Sequence, residues 1–200
     1  MSTVALLTDT TVRPNWSEAK AFLLAHGAVE CKHSGADLFS HLIGTADLLV
    51  RMEATADVVA AGLFHSVYGT ESFRKSVCSE QERGEVAGLI GAQAEALAWM
   101  FCEMAGRINA LQRHQAGAPV SFVDRHGRAM EVSGDAANAL ALIETANLLE
   151  QNELFAAPGL VRIAREKGVL GRYGIRTYRP RTFDEWALVM GGETLGRFVG

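Results

Sequence analysis

Apolar residues recur at helical spacing over most of the chain. Trp16, Ala19, Phe22 and Leu23 form the first such set, opened by a capping pair, Asn15 with Glu18 three residues on, and closed at Gly27. The spacing predicts a second helix from about Ser34 to Met52, with Leu38, Leu42, Leu49 and Met52 on or near one face. A third is predicted from Thr55–Asp57 to Tyr68–Gly69. Its VVAAGLF segment is apolar nearly all round, the mark of a central buried helix. Ser79 and Glu82 make another capping box, ahead of a helical tract that runs from Glu85 to His114 as one helix or two joined near Gly91. At Pro119 the period changes. Val120, Phe122, Arg128, Met130 and Val132 flank the Asp124–Gly127 turn and predict a short two-stranded hairpin. Ser133 or Asp135 then caps ANALALIETANLLEQ, and Pro158 starts a short helix that ends near Gly168. The expected fold is mostly α, a helical bundle with one short β-hairpin late in the chain. The expected organisation is one domain over residues 1–200, with a core at about 15–166 and a tail at 167–200 that carries one helical turn around Glu185–Met190.

Composition agrees with a folded domain. Of 200 residues, 48% are hydrophobic and 21% charged, with only four prolines, enough apolar chain to close a core. No apolar run approaches the roughly 20 residues that cross a bilayer. The N-terminal VALL patch is too short, and lacks the preceding basic residue, for a secretory leader. Cys31, Cys78 and Cys102, odd in number and widely spaced, read as reduced thiols, so a cytoplasmic location is expected. The net charge of −4 is uneven. From Arg162 onward eight basic residues face four acidic ones, and the remainder carries 11 basic and 19 acidic. An acidic body with a basic tail gives no broad positive face, so no nucleic-acid partner is expected. Arg172, Arg176, Arg179 and Arg181, interleaved with Tyr173 and Tyr178, are candidates for clamping an anion or docking a partner subunit as a homodimer.

The chemistry concentrates in residues 32–70. His41 and His65 lie 24 residues apart on two successive predicted helices joined by a short turn, an arrangement that brings two imidazoles to one point. The stretch resembles the guanosine tetraphosphate hydrolase branch of the HD superfamily, the hydrolase half of bifunctional stringent-response enzymes. The resemblance rests on Ser34–Gly35, His41 six residues later, and the apolar run Ala60–His65. It continues through Ile90–Leu97 to Glu144–Gln151, which falls where the family has its late aspartate segment. It implies an HD-like helical bundle and one divalent metal held by two histidines and two aspartates. This chain departs from that set. The aspartate after the second histidine is Ser66, the late one is Asn147, and the family's acidic pair falls at Gly69 and Thr70. Neutral ligands in place of carboxylates weaken the hold on a hard cation by several kcal/mol, on the order expected for charge-assisted contacts.

Local substitutes are present. Asp37, one turn before His41, is a candidate ligand or tautomer-fixing partner. His33 is a candidate third nitrogen, so any metal would sit on His33, His41 and His65 in a site better suited to zinc or iron. Tyr68 and Glu71 follow His65 closely, and an Asp37–His41 or Glu71–His65 pair would do acid–base work without a metal. The catalytic candidates are therefore His41, His65, Tyr68, Asp37 and Glu71. Ser66, Asn147, His33 and, from the hairpin turn, Arg125 and His126 are the candidates for substrate binding. The expected function is a small-molecule-transforming enzyme on an HD-like scaffold, with no cofactor or one divalent metal. The alternatives are a non-catalytic ligand- or partner-binding module and a true nucleotide phosphohydrolase.

Overall fold

Helix α1 spans Trp16–Ala25, and the Asn15 side chain accepts the Glu18 amide at 3.3 Å, as the capping pair predicts. A two-residue strand, β1 (Lys32–His33), pairs antiparallel with β2 (Ala36–Asp37). Helix α2 then runs over Leu38–Arg51, starting four residues later than its apolar spacing suggested. The computed structural model describes residues 14–33, 36–171 and 174–175. The tail expectations, including the turn at Glu185–Met190, lie outside the described residues.

Helix α3 (Ala56–Phe64) is the centre of the bundle, with every residue from Val58 to Phe64 buried. It packs against α2, against α4 (Arg83–Ile90) and α5 (Ala92–Glu103), and against α7 (Gly134–Glu150). Its contact with α2 is close at Gly62. A Cβ at Gly62 would lie 2.1 Å from Leu49 Cδ1. A single 3₁₀ turn over Glu80–Glu82 precedes α4, and the Ser79–Glu82 capping box is fully formed.

The helical tract does not continue to His114. After α5 the chain extends as strand β3 (Met104–Ala105), turns at Gly106, and resumes as α6 (Arg107–Leu111). The reason is non-local. Met104 and Ala105 pair with Asp124 and Val123 of β4 (Val120–Asp124), which pairs in turn with β5 (Ala129–Val132). The late hairpin is thus two-thirds of a three-stranded antiparallel sheet ordered β3-β4-β5. Ser133 caps α7, and α8 follows at Pro158–Glu166. A last pair, β6 (Leu170–Gly171) with β7 (Gly174–Ile175), ends the described chain. The protein is mostly α with a small antiparallel sheet. Among the described residues no helix is long and apolar enough to cross a membrane.

One polar tie joins α1 to the start of α4. His26 Nδ1 donates to the Phe22 carbonyl at 2.8 Å and Nε2 to Glu82 Oε1 at 2.7 Å, so both ring nitrogens carry protons. Burial works against the charged ring, but the Phe22 carbonyl and Glu82 outweigh it and raise the pKa. Hydrogen bonds from Ser79 and His26 hold the Glu82 carboxyl down to about 2. A raised histidine pKa stabilises the fold fully below its unfolded value of about 6.5 and loses that contribution as pH rises through the folded value. Unfolding free energies of wild type and His26→Gln, measured from pH 5 to 9, should therefore differ most at the acid end and converge at the alkaline end.

Candidate functional site

The packing of α2 on α3 places two imidazoles edge to face inside the bundle. His41 lies in α2 and is 1% exposed; His65 caps the C-terminus of α3 and is fully buried. Their Nε2 atoms are 3.1 Å apart and their ring centroids 5.0 Å. The opposite nitrogens are anchored. His65 Nδ1 donates to the Gly62 carbonyl at 2.6 Å, and His41 Nδ1 meets Glu150 Oε2 at 2.5 Å. Glu150 is the last residue of α7, one turn beyond Asn147.

Asn147 completes the cluster, and its neighbours fix which way the amide points. Its Nδ2 donates to Glu144 Oε2 at 3.3 Å, and its Oδ1 accepts Gln151 Nε2 at 2.7 Å. That oxygen stands 3.2 Å from His65 Nε2. An acceptor there requires a proton on His65 Nε2, and His65 Nδ1 already carries one toward a carbonyl. The amide orientation thus puts a proton on His65 Nε2, facing His41 Nε2.

Glu144 links the cluster to a second buried pair. Its Oε2 accepts Arg107 Nε at 2.7 Å, with the two side chains 0% and 8% exposed. Arg107 also donates to the Phe101 carbonyl at 2.9 Å, and its guanidinium lies 3.7 Å above the Phe101 ring. The Phe101 ring in turn meets His65 in a T-shaped contact, at 5.0 Å between centroids. Glu144 Oε1 is buried with no hydrogen-bond partner among the described residues. Beside this chain opens a polar cavity of about 330 Å³, lined among others by Lys32, Ser66, Thr70, Arg107, Asn147 and Gln151.

The sequence-derived candidates divide sharply. His41, His65 and Asn147 come together, and Ser66 lines the adjoining cavity. Asp37 does not join them. Its carboxylate caps α2, accepting the Ser40 amide and hydroxyl at 2.8 Å each. Glu71 does not pair with His65 but accepts the Gly106 amide at 2.7 Å. Tyr68 turns to a different cluster, where its hydroxyl donates to Glu95 at 3.2 Å and its ring meets Trp99. Burial first, and the Glu95 charge second, raise its pKa. Arg83 holds the same Glu95 at 2.6 and 2.9 Å. Arg125 and His126 sit on the hairpin turn beside Glu103, at 2.5 and 3.6 Å, rather than on the cavity. The turn itself is built by Asp124, which accepts the His126 and Arg128 amides at 2.9 Å each. His33 belongs to β1, and its side chain lies outside the described residues. Cys78 and Cys102 are buried free thiols, each pushed up to about 12 by desolvation.

The residues missed were Glu150, Glu144, Arg107 and Gln151. A signal existed for two of them: Glu144 and Gln151 recur with Asn147 at i, i+7 and i+3 on a helix rich in Ala and Leu. Arg107 lay in a tract that read as continuous helix.

A divalent metal of the HD type does not fit this donor set. Among the described residues, the atoms converging on one point are two imidazole nitrogens and one amide oxygen, with Ser66 where an aspartate would stand. The nearby carboxylates Glu150 and Glu144 are turned to His41 Nδ1 and Arg107. Among the described residues no three His, Cys, Asp or Glu side chains converge as a metal site. Calorimetric titration should accordingly show weak or no manganese binding, and Ser66→Asp with Asn147→Asp should strengthen it.

The fold and site define a mostly helical protein with a buried histidine pair beside a polar cavity. A family model described as a domain of unknown function (DUF6817) matches residues 22–106, which take in both histidines and stop before α7. No curated protein and no solved structure matches the chain.

Proposed function

We propose that the protein is an enzyme acting on a small anionic molecule by acid–base chemistry, on an HD-like scaffold without the metal centre. The observation that carries this reading is the His41–His65–Asn147 cluster beside the cavity. The cavity is lined by the Lys32 ammonium, the hydroxyls of Ser66, Thr70 and Ser72, the Glu153 carboxylate and the Arg107 guanidinium, which is paired with Glu144. Such a lining favours a small polar ligand, with Lys32 the cation left to meet a negative group. The proton on His65 Nε2 is the acid, and the His41 lone pair, held by Glu150, is the base that returns it.

The reading is tested with a panel of small carboxylates and phosphates, scored by thermal shift and by product formation. A bound compound should raise the Tm of wild type, and Ser66→Phe, which fills the cavity, should abolish that shift. His65→Gln should keep the shift and lower turnover by about 10²–10⁴-fold, the usual contribution of a positioned acid or base. Unchanged turnover in His65→Gln would overturn the reading.

A non-catalytic binding module is the second reading, and the burial of both imidazoles favours it. In that case His65→Gln would lower stability and leave only binding to measure.

A further inference from the structure

The geometry points to Glu150 as the positioning residue of the histidine pair. Its carboxylate fixes His41 in the Nδ1–H form, which leaves Nε2 bare to face the proton on His65. The consequence for activity rests on the acid–base reading above; the tautomer assignment does not.

Three observations converge on this role. Glu150 Oε2 and His41 Nδ1 are 2.5 Å apart, a charge-assisted distance, and the Glu150 side chain is 19% exposed. The contact spans 109 residues, from the first turn of α2 to the last residue of α7, so it is made by the fold and not by neighbouring sequence. The third is an absence of side chain. At Gly44, one turn after His41, an added Cβ would lie 2.8 Å from Glu150 Cγ and 3.1 Å from its Oε1. Glycine there leaves the groove through which the carboxylate reaches the ring.

The proton count follows. Glu150 without a proton, His41 with one and His65 with two make a neutral triad. When His65 Nε2 gives up its proton, the remaining triad carries one negative charge, spread over Glu150 and His41. When Nε2 of either ring takes one back, neutrality returns. Without Glu150, His41 Nδ1 loses the carboxylate that holds its proton. His41 would then be free to take its single proton on Nε2 and donate to a bare His65 Nε2, the reverse polarity.

The test uses the full chain with ¹⁵N-labelled histidine and two-bond ¹H–¹⁵N correlation at one neutral pH. Wild type should show His41 with Nδ1 protonated and Nε2 bare, and His65 with both nitrogens protonated. In Glu150→Ala the Nδ1–H signature of His41 should be lost, and His65 Nε2 should move to the bare range. Gly44→Ala keeps the carboxylate but displaces it, and it places a better helix former in α2, so it should fold and give the same change. Wild-type tautomers in both variants would overturn the assignment. If the tautomers switch while turnover in His65→Gln is unaffected, Glu150 positions the pair and only the enzyme reading fails.

Discussion

Arg107→Ala should lower unfolding free energy by about 3–5 kcal/mol, the range for removing one member of a buried ion pair. Three features place it there. Glu144 is fully buried, its Oε2 accepts Arg107 at 2.7 Å, and its Oε1 has no hydrogen-bond partner among the described residues. Without Arg107 the carboxylate keeps only the Asn147 amide at 3.3 Å, and the Phe101 carbonyl loses a donor. The loss should show in urea as a lower midpoint with an unchanged slope. Arg107→Met combined with Glu144→Gln should recover part of it, because a neutral amide still accepts Asn147 and no buried charge remains. A loss under about 1 kcal/mol for Arg107→Ala, the range of exposed pairs, would show that water reaches the carboxylate.

Gly62→Ala should destabilise the packing of α2 on α3. The new Cβ would stand 2.1 Å from Leu49 Cδ1, so either Leu49 leaves its rotamer or α2 and α3 separate. Overpacking of this kind typically costs 1–3 kcal/mol. Separation would also part His41 from His65, since one ring rides on each helix. Pairing the change with Leu49→Val should relieve part of the clash, and the two effects should be non-additive because the groups touch. A Gly62→Ala variant as stable as wild type, with an unchanged His41–His65 signature, would count against the close crossing.

The helices and hairpin were legible because their signals are local. The Asn15–Glu18 and Ser79–Glu82 caps, the apolar run of α3 and the change of period at Pro119 each declare an element within a few residues. The meeting of His41 and His65 was legible too, since helical spacing and a short turn set it. Strand β3 was not, because Met104–Ala105 becomes a strand only by pairing with residues some twenty positions on. The same holds for the site. Asp37, Tyr68 and Glu71 are close to the histidines in sequence but satisfy a helix cap, Glu95 and the Gly106 amide. Two side chains that do meet the rings, Glu150 and Asn147, lie 109 and 82 residues from them.

That separation bears on how the chain assembles. While the first hundred or so residues are being made, the α2–α3 unit has the His65–Gly62 bond and the contact between the rings, but not the Glu150 carboxylate or the Asn147 amide. Burying the rings in that state carries a desolvation cost that those two contacts do not yet offset. Only when residues 144–151 are synthesised and α7 docks do the rings gain these two acceptors. The histidine pair therefore acts as a latch between early and late parts of the chain, withholding stability from any product cut off before α7. Fragments ending near residue 133 should be molten and protease-sensitive, and adding the missing helix as a peptide should restore protection to α2 and α3 together.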